Sequence, residues 1–278
     1  MIAVVERRGK VSGATRRGLR EALTHAGLEP ASWTKVSKAR KATAAVAEMI
    51  RGGADTVVVC GGDGTVRAAA EALVDTGVAL EVVPTGTANL FAAGLDLPAE
   101  PAAVVELVTS GHRLVLDTGR CNDRTFTVMA GAGLDAAMID ETDDASGPLG
   151  KDRLGVLSYV RAGLIHAHRP DPFEAEVTVD GTVFFDGMTT CVLVGNLGNL
   201  PGGLHAFSGA SATDGLLDVA VTTAAGLRQW ASLIISTARG RQEASPHARF
   251  AQGRRIVVKM SRKQRFELDG GTRAPVNG

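Results

Sequence analysis

The amino-acid sequence predicts a two-domain α/β plus β chain, with an N-terminal parallel-sheet domain ahead of a mostly antiparallel β domain. Three observations predict it. Short β-branched runs alternate with helical patterns as far as about residue 111. Beyond residue 113, strand-like runs follow one another with only two helical patterns between them. The length of 278 residues exceeds the roughly 150 of one average domain.

In chain order, residues 2–5 read as a buried strand, and residues 14–26 carry a helical pattern with Leu19 and Leu23 on one face and Gly27 as its stop. A second helix is predicted from about Arg40 to Ile50, ended by Gly52-Gly53. Thr56-Val57-Val58-Val59-Cys60 is a continuous run of the kind buried on both faces of a parallel sheet. Gly61-Gly62-Asp63-Gly64-Thr65 follows, then a helix through Leu73. Leu80-Glu81-Val82-Val83 is a further strand, and Pro84-Thr85-Gly86-Thr87-Ala88-Asn89 a second glycine-bearing turn before a helix. Pro101 suits the first turn of another helix, which stops before Gly111. In the second half, strands are predicted at 114–117, 125–129, 173–179, 190–195, 216–222, 255–260 and 264–268, with helices at about 153–167 and 226–239. Asp180-Gly181 predicts a two-residue hairpin turn. Trp230, at helical spacing with Leu227 and Ile234, reads as core.

Composition narrows the class. Lys plus Arg and Asp plus Glu both number 30, so the chain lacks the overall basic charge of a nucleic-acid binder. The 34 glycines show no three-residue period, which excludes collagen and points to turns and close backbone approaches. Cys60, Cys121 and Cys191 are far apart and odd in number, against a disulfide framework or zinc ribbon. No apolar run approaches a transmembrane length, and the N-terminus lacks the pattern of a secretory signal, so a cytoplasmic protein is expected.

The two glycine turns suit phosphate, because glycine lets the backbone approach an anion and a helix N-terminus offers N–H donors. A carboxylate at Asp63 would repel a bare phosphate, which suggests magnesium or a substrate hydroxyl nearby. An ordinary tight turn with Asp63 as helix cap stands beside that reading. The spacing is neither a P-loop nor a dinucleotide fingerprint.

These residues resemble the diacylglycerol kinase catalytic domain of bacterial lipid kinases. The likeness rests on Gly61-Gly62-Asp63-Gly64-Thr65 and on Pro84-Thr85-Gly86-Thr87-Ala88-Asn89-Leu90-Phe91-Ala92. It continues through Leu116-Asp117-Thr118-Gly119, Ala130-Gly131-Ala132-Gly133-Leu134-Asp135, Lys151-Asp152-Arg153-Leu154-Gly155, Val194-Gly195-Asn196 and Asp214-Gly215-Leu216-Leu217-Asp218-Val219. The resemblance implies a nucleotide-binding domain over 1–113, a β-sandwich lipid-substrate domain over 114–278 whose last residues return towards the first, and an active site between them. It also implies an ATP-dependent, magnesium-requiring lipid kinase acting on diacylglycerol or a related lipid at the inner membrane surface, with a homodimer as one expected assembly. A nucleotide-binding protein without turnover and a kinase of a soluble substrate, related to NAD kinases, are the alternatives.

By the same resemblance ATP is expected at Gly61, Gly62, Asp63, Gly64, Thr65, Val66, Arg67, Thr85, Gly86, Thr87 and Asn89, at Ser37 after the strand that precedes the second helix, and at Lys151. Ser211, Asp214 and Leu216 map to a structural magnesium loop. Asp63, Asp117 and Asp269 are the expected catalytic carboxylates. The chain departs from the family in three places. Glu6-Arg7-Arg8-Gly9-Lys10 replaces the usual N-P-x-S-G, with Lys10 still able to reach phosphate, and Leu90 replaces an aspartate. Asp269-Gly270-Gly271 replaces D-G-E, so the expected base is glycine. Glu267 and Asp269, alternating on a strand, are candidates to substitute, and Asp63 is the other.

Overall fold

In the computed structural model, which describes residues 1–133, 171–200 and 204–276, four parallel strands form the sheet that the N-terminal pattern predicts. They are β1 (Ile2–Arg7), β2 (Ser32–Val36), β3 (Thr56–Gly61) and β4 (Ala79–Pro84), in the order β2-β1-β3-β4. Five helices accompany them: α1 (Gly13–His25), α2 (Ala42–Arg51), α3 (Asp63–Leu73), α4 (Leu90–Gly94) and α5 (Pro101–Ser110). Ser12 starts α1 by accepting the Thr15 N–H at 2.9 Å. Pro101 opens α5, and Gly111 closes it in the left-handed region, φ 72°. Leu19 and Leu23 of α1 pack with Val104 and Val105 of α5 onto Val4, Val58 and Val83. The apolar run of β3 is buried throughout, as a central parallel strand requires.

The chain leaves β1 for β2 on one side and then places β3 on the other. In open α/β sheets such a switch point opens a crevice outside the carboxyl ends of the strands, where ligands bind. Glu6 lies at that end of β1 and is fully buried. Its carboxylate accepts hydrogen bonds from Arg16 Nε and Nη2 and from Trp33 Nε1, at 2.7–3.1 Å. Burial acts to raise its pKa. The bonds from Arg16 and Trp33 and the charges of Arg16 and Lys35 outweigh burial and hold Glu6 below the ordinary glutamate value of 4.5. Because the folded pKa is the lower one, this stabilisation is complete above about pH 4.5 and fades as pH falls through the folded value. Urea unfolding at a series of acidic pH values is therefore expected to show a flatter acid limb for Glu6→Gln than for the parent. Parallel limbs would remove Glu6 as the titrating group.

The second unit comprises Asp117–Cys121 and Phe126–Gly278; the first holds Met1–Leu116 and Asn122–Thr125. Short strands β5 (Gly119–Cys121) and β6 (Arg124–Phe126) come where the chain passes from one unit to the other. The longer strands are β7 (Met129–Gly133), β8 (Phe173–Val179), β9 (Thr182–Thr189), β10 (Cys191–Gly195), β13 (Leu217–Thr222), β14 (Ala248–Gly253), β15 (Ile256–Met260), β16 (Gln264–Leu268) and β17 (Gly271–Val276). Two-residue strands β11 (Asn199–Leu200) and β12 (Leu204–His205) pair with each other, and α6 (Leu227–Ala238) follows β13. An antiparallel sheet of order β14-β13-β10-β7-β16-β17 faces a three-stranded sheet, β15-β8-β9. Phe173, Val177 and Phe185 of the smaller sheet pack with Val192, Val219 and Val221 of the larger, which makes this unit a sandwich.

Several expectations change. Leu114–Asp117 forms no strand, and Leu114 and Val115 are 68% and 87% exposed. Their apolar run is a connection between units with no ladder to join. The strand expected over 125–129 breaks at Thr127 and Val128, because the N–H groups of residues 127–129 turn to the Asp269 carboxylate. Glu267 and Asp269, the candidates to substitute for the missing base, are each only 1% exposed. Trp230 is core at 4% exposure, but Leu227 points outward at 44%. The helix expected over 153–167 lies outside the described residues.

Candidate active site

The first glycine turn leaves β3 at Gly61 and enters α3 at Asp63. Gly62 is the N-cap of α3 and offers no side chain to cap it. Gly61 is required by close approach, because a Cβ there would lie 2.7 Å from the Thr65 Cβ. The second turn follows β4. Thr85 N–H donates to the Gly61 carbonyl at 3.0 Å and continues the β3–β4 pairing into the turns. Asn89, in the left-handed region at φ 49°, closes its own turn. Its Oδ1 accepts the Gly86 N–H at 2.8 Å, and its Nδ2 donates to the Gly86 carbonyl at 3.1 Å.

The two turns touch through Gly62 and Gly86. A Cβ on Gly86 would lie 2.6 Å from the Gly62 Cα and 2.8 Å from Asn89 Oδ1, so even alanine forces the turns apart. Asp63 belongs to both turns in effect, since its Oδ1 accepts the Phe91 N–H at 3.3 Å. The Thr85 hydroxyl oxygen is buried without a hydrogen-bond partner among the described residues. Thr87 is exposed beside it. Thr65, Val66 and Arg67 are buried in α3, at 3%, 2% and 5% exposure. Cys60, the residue before the first turn, is inert at neutral pH: burial, and then the Glu6 charge, push its thiol up to about 12. Gly86→Ala is expected to weaken ATP binding by about tenfold or more, 1.4 kcal/mol, in a calorimetric titration of the folded variant. An unchanged Kd would show that the contact of the turns does not matter to the nucleotide.

A recess of about 970 Å³ opens at the carboxyl ends of β1 and β2. Glu6 and Arg16 lie on its floor, and Arg8, Lys35, Ser37 and Lys41 line it. Arg7 Nη1 donates to the Ser37 carbonyl at 2.5 Å and ties the two strand ends together. The buried Glu6–Arg16 pair was not foreseen from sequence. A carboxylate inside the apolar run of β1, followed by three cations within four residues, is the signal that marks it.

In the second unit, Asp117 sits with the loop that contains Asp214. Asp117 Oδ2 accepts the Gly215 N–H at 2.7 Å, and its own N–H donates to the Ala212 carbonyl at 2.6 Å. Asp214 accepts the Leu216 N–H at 2.9 Å and Gln252 Nε2 at 3.0 Å. Ser211 and Thr213 hydroxyls are 3.0 Å apart. Burial, then the charge of Asp214, raises the carboxyl pKa of neighbouring Asp218. Asn196, absent from the sequence-derived site, donates from Nδ2 to the carbonyls of Asp117 and Thr127 at 2.8 and 2.9 Å.

Asp269 is the largest departure from expectation. It begins the hairpin turn between β16 and β17, with φ 47° there and 73° at Gly270. Oδ2 accepts from the Thr127 N–H and hydroxyl, and Oδ1 from the N–H groups of Val128 and Met129, at 2.8–3.0 Å. Four donors and 1% exposure leave neither oxygen open to an acceptor hydroxyl. The geometry gives Asp269 a structural place in the sandwich. Lys151 lies outside the described residues.

Comparison with known proteins agrees with this construction. The Diacylglycerol kinase catalytic domain matches residues 7–121, and the YegS C-terminal NAD kinase beta sandwich-like domain matches residues 128–277. An uncharacterized protein of Synechocystis sp. is 31% identical over 228 residues, 77% of this chain and 49% of that protein. The chain thus spans about half the length of that relative. A protein named diacylglycerol kinase from Bacillus subtilis (strain 168) is 30% identical over 220 residues, 78% of this chain and 71% of that one. A crystal structure of a diacylglycerol kinase from Bacillus anthracis str. Sterne shares the fold, with TM-score 0.79 at 21% identity over 99% of this chain and 91% of that one. With both of its units matched in order, the chain belongs to the diacylglycerol kinase catalytic-domain family of lipid kinases.

Proposed function

We propose that the chain is an ATP-dependent kinase that transfers the γ-phosphate to a hydroxyl of diacylglycerol or a related lipid. The observation that carries this reading is the contact of the two glycine turns, with Asp63 at the start of α3 and the buried, unpartnered Thr85 hydroxyl beside it. Kinase family membership implies ATP use. The positive end of α3, whose N-cap Gly62 carries no side chain, suits its phosphates. Arg8, Lys35 and Lys41 supply positive charge around Ser37 in the neighbouring recess. Of these, Arg8 belongs to the stretch that replaces N-P-x-S-G.

Asp63 is the proton acceptor in this reading, since Asp269 is sealed and position 271 is glycine. The acceptor hydroxyl gives its proton to the Asp63 carboxylate as its oxygen bonds to the γ-phosphorus. The bond from phosphorus to the bridging oxygen breaks, and ADP leaves with that electron pair. Magnesium fits the donor chemistry of Ser211, Asp214 and Leu216, which offer oxygen only. The like charges that crowd Asp218, those of Asp214 and Glu243, are what a cation would relieve. Among the described residues no three acidic, histidine or cysteine side chains gather for a metal, so main-chain carbonyls and water would complete the shell. Magnesium supplies charge neutralisation when bound.

Incubation with labelled ATP and a lipid extract tests the proposal, and label in the lipid phase is the expected result. Label on NAD instead would favour a soluble acceptor. ATP binding with no transfer would favour a nucleotide-binding role without turnover.

A further inference from the structure

We infer that the outer face of α6 is an interfacial anchor that docks the chain on an anionic lipid surface. The inference deepens the lipid-kinase reading and rests on it, because a membrane is where such an acceptor resides. Trp230 and Leu233 pin the inner face of α6 to the sandwich at 4% and 7% exposure. On the opposite side Leu227 and Ile235 are 44% and 48% exposed. At about 3.6 residues per turn, Leu227, Ala231, Ile235 and Ala238 fall into one apolar stripe, and Arg228 and Arg239 border it. Arg228, Arg239 and the following Arg241 are exposed. No acidic residue occurs in Leu227–Ala238. The next carboxylate, Glu243, accepts a hydrogen bond from Ser208.

Apolar side chains beside cations whose long stems can lie along them are the composition of a helix held at the headgroup boundary. Size separates this from a protein interface. A helix of 12 residues is about 18 Å long, and one such face covers roughly 200 Å², well below the ~800 Å² per partner of a stable pair. A membrane needs no matching surface, and each arginine near an anionic leaflet contributes on its own. Among the described residues no helix is long and apolar enough to cross a membrane, so α6 would lie on the surface.

The test is sedimentation of the full chain with phosphatidylcholine vesicles, with and without phosphatidylglycerol. The parent is expected to partition about tenfold or more in favour of the anionic vesicles. Leu227→Glu combined with Ile235→Glu should lower that binding by about tenfold or more. Arg228→Gln with Arg239→Gln should lower it on anionic vesicles alone. All four side chains are exposed, so the fold tolerates these changes. Unchanged binding of the glutamate variant would overturn the inference. So would a fall in its solution mass relative to the parent, because a second copy would then cover the face. The vesicle arm needs no turnover and decides docking by itself. Phosphorylation of a water-dispersed, short-chain diacylglycerol checks the underlying reading separately. Parent and variants should turn it over equally, and no turnover by the parent would sink the kinase reading without touching the vesicle result.

Discussion

Asp63→Asn is expected to lower kcat by about two orders of magnitude or more while ATP still binds. The substitution keeps the side chain's shape and its ability to accept the Phe91 N–H, so the two turns should stay joined. It removes the charge that would take the acceptor's proton or organise magnesium. Loss of a positioned base is worth about 10²–10⁴-fold, and Asp63 is the carboxylate that the glycine turns themselves carry. The check is kcat with one lipid acceptor, together with the melting temperature. Near-normal turnover in a folded variant would move the proton acceptor elsewhere and reopen the role of position 271, where Gly271→Glu restores the family's glutamate.

The second large effect is on stability. Asp269→Asn should destabilise the sandwich by about 3 kcal/mol or more, since the buried carboxylate is the acceptor for three N–H groups and a hydroxyl. Asparagine presents an NH2 group to donors that need an acceptor. Leaving buried donors unsatisfied costs about 1–3 kcal/mol each, before any relaxation of the 127–129 turn. For a chain of this size that corresponds to a melting temperature lower by on the order of 10 °C. A base at this position would behave in the opposite way, with kcat lost and the melting temperature kept. Calorimetry and kinetics on the same preparation therefore separate the two roles.

The parallel sheet was legible because each central strand carries its own signal. Val57-Val58-Val59 is buried on both faces, and a strand buried that way is apolar at every position. Strands at sheet edges were harder. β14, with the sequence Ala-Arg-Phe-Ala-Gln-Gly, ends the six-stranded sheet and carries no apolar period. β2, the edge strand Ser-Trp-Thr-Lys-Val, was placed only through family resemblance, as the strand before Ser37. One flank of an edge strand meets solvent, so burial does not dictate its composition.

Local signals along the chain suffice for the class of each half, the two glycine turns, Asp63 at a helix start and the Asp180-Gly181 hairpin. These depend on local conformation, where glycine, proline and β-branched residues act within a few positions of themselves. The surroundings of the carboxylates depend instead on the folded arrangement. Asp269 lies 142 positions beyond Thr127, which binds it, and Asn196 lies 79 positions beyond Asp117, which it holds. It also turned Leu227 outward and sealed Glu6 under Arg16 and Trp33. A buried polar group must find its partner wherever the fold brings one, and no local period in the sequence records that choice.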